Sequence, residues 1–169
     1  MDGEDDLTDG LDELAESNDK LADDEVEEVR EERGRKVDMQ FLREVMYGLE
    51  AVSMGTHQLL YFSAMQYARD HLETEAESVE EAVEELSSRF ERMNVGSIVL
   101  EQDEDNPRIK MEENAVSYDA PRTGRKMDYF IAGYIAGYLE NALGDKYVVN
   151  EIECSAEGGE VCVFQIKGR

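Results

Sequence analysis

Cys154 and Cys162 are the only thiols of the chain. They sit eight positions apart with Gly158 midway, in the stretch ECSAEGGEVCVFQIK that spans residues 153–167. Residue types alone allow three chemistries there: a disulfide across a turn, half of a metal site, or two buried thiols facing each other. Cross-strand spacing about Gly158 permits sulfur contact. Two cysteines do not make a disulfide framework for a chain of 169 residues, and a reducing cytosol argues against a stable bridge. The residues by themselves leave all three open. His57 and His71 are the other neutral-range titrating groups, fourteen apart and with no neighbouring Cys or Ser to suggest a dyad. The chain has no glycine-rich dinucleotide fingerprint, no P-loop and no nucleophile elbow. Catalysis therefore finds no support in the sequence.

The elements that must position these residues can be read from periodicity. Met39, Leu42, Val45, Met46 and Leu49 follow helical spacing, and a second apolar stretch, GTHQLLYFSAMQYARDHL, runs from 55 to 72, with Gly55 breaking or bending the path between them. In SVEEAVEELSSRFERMN, Ser78 and Glu81 form a capping box, and Val79, Ala82, Val83, Leu86, Phe90 and Met93 make one apolar stripe. The period then changes. GSIVLEQ reads as a strand, EDNPR as a turn, and IKMEE and AVSYDA as further extended pieces. GRKMDYFIAGYIAGYLENALG returns to helix and ends at Gly144 as a C-cap. KYVVNEIEC and EVCVFQIK close the chain as two strands joined by SAEGG. This order predicts an α+β domain: helices packed on one face of a small antiparallel sheet, with a C-terminal β-hairpin after a long helix.

Within that long helix, Gly133 and Gly137 lie one turn apart beside Ala132 and Ala136. Glycine inside a helix costs up to about 1 kcal/mol relative to alanine, so the pair predicts close approach of another backbone. Tight helix packing is the expected reason.

Composition bounds the rest. The chain carries 42 acidic against 17 basic residues, a net charge of −25. No basic stripe exists to displace counterions from phosphate, so nucleic acid is excluded as a direct partner, and an anionic membrane surface with it. Residues 1–36 read as an acidic arm too poor in apolar groups to fold alone, although Leu7, Leu11, Leu14 and Leu21 share one helical face; a protein partner for this arm is one expectation. Residues 37–169 read as a single domain. Its surface is acidic throughout, and lysine is scarcer than arginine, which fits a halophile's cytosol, where screening makes self-repulsion tolerable. No apolar run is long enough to span a membrane and no secretory signal is visible, so the expected location is cytoplasmic.

The run GYIAGYLENALGDKYVVNEIECSAEGGEVCVF resembles the C-terminal signature of the 4-vinyl reductase domain family. The matching positions are Gly133, Gly137, Gly144, Cys154, Gly158, Cys162 and Phe164. The resemblance extends over roughly residues 38–167, but its specific part is the C-terminal forty or so. It implies a fold shared with small subunits of the TRAPP vesicle-tethering complex and with haem-binding nitric-oxide sensors. It also implies a homodimer, and a structural zinc held by a helix residue, a Glu and two hairpin cysteines. Those ligand positions fall on Asp128, Glu151, Cys154 and Cys162, with Asp128 where the family has Cys. Aspartate is a competent zinc ligand, though harder and shorter in reach than thiolate.

The function this implies is non-catalytic: a sensor-type domain binding a small hydrophobic or aromatic ligand in a cavity between helices and sheet. His57, Tyr61, Phe62, Tyr134 and Tyr138 are the expected lining. Without a DNA-binding segment on this chain, such a sensor would act in trans. The alternative is a dimeric TRAPP-like interaction scaffold. A reductase is the third and least supported reading.

Overall fold

The computed structural model describes residues 39–52, 55–102, 107–117 and 124–168. The acidic arm and its leucine pattern lie outside the described residues, as does most of the EDNPR turn. Among the described residues the order is α1 (Met39–Val52), α2 (Gly55–His71), α3 (Val79–Arg92), β1 (Ser97–Glu101), β2 (Arg108–Glu112), α4 (Tyr129–Leu143), β3 (Tyr147–Glu153) and β4 (Cys162–Gly168). The four strands form one antiparallel sheet in the order β1-β2-β4-β3, as the α+β reading expects.

The sheet has one apolar face. Ile98 pairs with Met111, Ile109 with Phe164 and Val149 with Ile166, and all six are buried. Paired residues share a face, so this row is the floor of the core. α3 packs over β1 and α4 over β3. α3 presents Ala82, Val83, Leu86 and Phe90, the stripe read from its spacing. Its start is capped as expected, with Glu81 N donating to Ser78 Oγ at 3.2 Å. The reciprocal bond shifts by one residue: Glu81 Oε2 accepts from Glu77 N at 2.8 Å.

α4 is buried almost all round, from Ile131 to Ala142, because it lies between sheet and α2. Its two glycines make this possible. A Cβ on Gly133 would stand 2.1 Å from the Tyr61 carbonyl oxygen, and one on Gly137 would stand 2.0 Å from that of Met65. The expected close approach is therefore α2 lying backbone-on-backbone along α4. Both pairs are 72 positions apart in sequence, so the two helices run parallel. Asn141 secures the far end by donating to the carbonyls of Ala68 and Leu72. α4 ends at Gly144, whose φ of 77° is left-handed.

Three expectations change. AVSYDA is not extended where it is described: Ala115–Ser117 is a turn, because Asn114 Oδ1 accepts from Val116 N at 3.0 Å and folds the chain back. The last helix starts at Tyr129, later than the sequence pattern places it, with Asp128 at its N-cap. The helix-spaced apolar residues of α1 are not all core: Met46 is buried, while Val45 and Leu49 are exposed.

Candidate metal centre and ligand cleft

The β3–β4 hairpin and the start of α4 bring four acids together. Asp128, Glu151, Cys154 and Cys162 each offer a ligand atom, and these atoms all lie within 4.8 Å of one another. Glu151 projects from the core-facing row of β3, opposite Phe164, and a register irregularity follows between Glu151 and Glu153. Beyond it Ser155–Glu157 form a short 3-10 turn that ends at Gly158, with φ of 106°, in place of a simple tight turn. This returns Cys162 to the inner row beneath Asp128. Both cysteines are buried free thiols, so the disulfide alternative is absent.

Asp128 is the pivot. Aspartate at an N-cap ordinarily accepts from its own helix, yet here the side chain makes no capping bond. Its Oδ2 instead accepts from Asn114 Nδ2 at 2.8 Å, lies 3.2 Å from Cys162 Sγ and 3.9 Å from Cys154 Sγ. Its backbone N–H donates to Glu151 Oε2 at 3.1 Å. The residue is 0% exposed. Asp128 Oδ1 and Glu151 Oε1 are both buried without a hydrogen-bond partner. Buried carboxylate oxygens seldom stay unpaired.

The electrostatics follow from burial without a nearby cation. Burial first, then the charges of Glu151 and Cys162, pushes the Asp128 carboxyl well above the usual range. Burial also raises Glu151. Cys154 is raised by donating to Cys162 and by burial, whereas Cys162 is lowered by that same bond and by Ser117. Ser117 Oγ lies 3.1 Å from the Cys162 sulfur, and Ser155 Oγ 3.6 Å. Two carboxylates and two sulfurs that share protons at close range, with one oxygen of each carboxylate otherwise unpartnered, are a donor set that could hold a metal ion. The Asp128–sulfur separations bracket the roughly 3.4–3.8 Å edge of a tetrahedron built on Zn–O and Zn–S bonds.

A separate cleft of about 410 Å³ opens between α2, α4 and the edge strand β3. His57, Tyr61 and Phe62 line it, as expected, together with Met65, Tyr129 and Tyr147. His57 stacks on Tyr129 with ring centroids 4.1 Å apart and planes 9° apart. Burial, then the Arg125 charge, lowers the His57 pKa, so the imidazole is neutral at physiological pH. Tyr61 reaches across to β3, its hydroxyl accepting from Val149 N at 3.2 Å.

Tyr134 and Tyr138 do not line this cleft. Each follows a glycine of the α2 contact, and one residue's rotation turns them into the core. Arg89 Nε donates to Tyr134 Oη at 3.0 Å, and Thr74 Oγ1 lies 3.0 Å from Tyr138 Oη. The residues that sequence reasoning missed are Tyr129 and Tyr147 in the cleft, and Asn114, Ser117 and Ser155 around the cluster. Tyr129 had a usable signal: it lies one turn before Gly133, on the face that meets α2. The cluster's partners come from loops and carried no comparable pattern.

Residues 107–168 match the model of the 4-vinyl reductase domain, and the chain carries that domain. The match contains all four members of the acid cluster. The protein MJ1460 of Methanocaldococcus jannaschii is 35% identical over 88 residues, which is 50% of this chain and 54% of that one. The chain thus spans about half the length of this curated relative. A vinyl-4-reductase family protein from Methanocaldococcus jannaschii superposes with a TM-score of 0.52 at 26% identity, over 79% of this chain and 83% of that one. The phenol-responsive sensory domain of the transcription activator PoxR, solved with phenol, gives 0.53 at 15% identity, over 78% and 75%. A trafficking protein particle complex subunit 3 from Naegleria fowleri, covalently bound to palmitic acid, gives 0.51 at 14% identity, over 88% and 93%. The last two show a shared fold. Among the described residues no helix is long and apolar enough to cross a membrane.

Proposed function

We propose that this chain is a non-catalytic small-molecule-binding module whose cleft takes a hydrophobic or aromatic ligand, with a structural zinc at the acid cluster. One observation carries the reading: an aromatic-walled cleft of about 410 Å³, bounded by the His57–Tyr129 stack. Its size and concavity suit a small ligand. The 4-vinyl reductase domain, and the fold shared with a phenol-responsive sensory domain, support the same class of function. Zinc would neutralise the cluster and satisfy the orphaned oxygens of Asp128 and Glu151. Acting in trans on a regulatory partner is the corresponding cellular role.

Native mass spectrometry of the purified chain, with metal analysis of the same sample, tests this directly. The expected result is one zinc per chain and a retained or titratable small molecule. A metal-free protein that also binds no aromatic probe sinks the reading.

A second reading, the homodimeric interaction scaffold, draws on α1. Phe41, Val45 and Leu49 lie four apart and are 63%, 41% and 46% exposed. A stripe of that kind on one helix face suits a partner helix. Sedimentation analysis of the chain and of its Val45→Glu, Leu49→Glu variant decides it; a monomer in both cases removes this reading.

A further inference from the structure

The cleft is not apolar along its whole length. Its aromatic end is formed by His57 and Tyr129, at the starts of α2 and α4. Its other end is formed by Arg69, Glu140 and Lys146, at the ends of those helices and the start of β3. His57 and Arg69 are twelve residues apart on one helix, about 18 Å. The three charged groups are not equivalent. Arg69 Nε donates to Asp70 at 2.8 Å, and its Nη1 lies 3.9 Å from Glu140 Oε1, so these charges answer one another. Lys146 has no carboxylate partner among the described residues. It therefore leaves an uncompensated positive charge at the cleft mouth of a chain whose net charge is −25. Everywhere else that surplus of carboxylates repels anions, and at this mouth alone along the cleft an anionic head would find a cation waiting.

We infer that the ligand is an elongated amphipathic carboxylate, its apolar body along Met65, Tyr61 and Tyr147 and its anionic head at Lys146. The inference rests on the cleft being the ligand site. A phenol-sized neutral molecule would fill only the aromatic end and leave Lys146 unused. A cationic head would meet Lys146 as a like charge.

Isothermal titration of the whole chain with decanoate, decanamide and decyltrimethylammonium, each below its aggregation concentration, separates the possibilities. Decanoate is expected to bind about three- to fivefold more tightly than the amide, the scale of one partly exposed ion pair, and the trimethylammonium more weakly than either. Lys146→Gln should abolish the preference for decanoate over the amide. Lys167→Gln, an exposed cation on β4, should leave it intact. Lys146 is exposed, so neither variant threatens folding. Equal binding of decanoate and its amide, or a preference that survives Lys146→Gln, overturns the carboxylate inference while leaving the cleft in place. Binding of none of the three amphiphiles overturns the cleft reading itself.

Discussion

Gly133 lies against Tyr61 so closely that a Cβ at position 133 would stand 2.1 Å from the Tyr61 carbonyl oxygen. The obstacle is backbone and cannot rotate away. Gly133→Ala, and likewise Gly137→Ala against Met65, should therefore each cost about 3 kcal/mol or more. Chemical denaturation measures this. A loss below about 1 kcal/mol would mean that α2 does not sit on α4 as described.

The His57–Tyr129 stack predicts an acid-side effect. The folded state favours neutral imidazole, because burial and Arg125 lower its pKa from the unfolded value. The unfolded chain thus takes up the proton first. The stability this contributes is full above about pH 6.5 and falls as pH drops through the lowered folded value. His57→Phe should keep the stack and remove that component, read as a flatter pH dependence of the denaturation midpoint between about pH 7 and 5. His57→Ala should in addition weaken binding of an aromatic probe severalfold.

Asp128 predicts the opposite slope in metal-free protein. Its carboxyl is raised by burial, so stability is fully present below the unfolded value of about 3.9 and is lost as pH rises through the folded one. Asp128→Asn should remove this component and stabilise the metal-free form at neutral pH. Bound zinc reverses the sign, since its ligands must be deprotonated. Melting curves from about pH 5 to 8, with chelator and with zinc, check both limbs. Identical curves in the two conditions would dismiss the metal site.

Metal and cleft share a backbone, because the candidate ligand Asp128 directly precedes the cleft residue Tyr129. Chelation, or Cys162→Ser, should therefore lower affinity for an aromatic probe by about tenfold. Asp128→Cys should hold zinc more tightly than the native chain and leave that affinity high. Titration of one probe across the three proteins tests the linkage.

Tyr134 and Tyr138 supply the control. Tyr138 is raised to about 12 by burial, as suits a phenol enclosed in the core. Tyr134→Phe and Tyr138→Phe should each cost about 1 kcal/mol of stability, the scale of a lost hydrogen bond, with probe affinity unchanged. Affinity falling in either variant would put these tyrosines back in the binding site.

What the sequence made legible follows from how local the signal is. The α3 stripe, the Ser78 cap and the Gly144 C-cap lie within one or two turns of the residues they govern, and each appears as read. The glycine pair on α4 announced a close neighbour without naming it, because the neighbour is 72 positions away. The acid cluster was legible as a set only through the family's spacing. The diversion of Asp128 from capping depends on Asn114, which no periodicity flags. The tyrosines were misassigned for a geometric reason: adjacent helix positions differ by about 100°, so a glycine facing α2 leaves the next residue facing elsewhere.

The parallel seating of α2 on α4 also fixes an order of assembly. α2 buries only Ala64 and Ala68 within its length, too little to hold a helix of 17 residues without a neighbour. It must wait for α4, and joining them closes a long loop, a non-local step of the kind that slows folding. The cleft and the acid cluster thus come into being only in the closing stage, when the C-terminal segment docks. A ligand or ion present at that moment binds the finished state alone, and so draws the chain toward it by mass action.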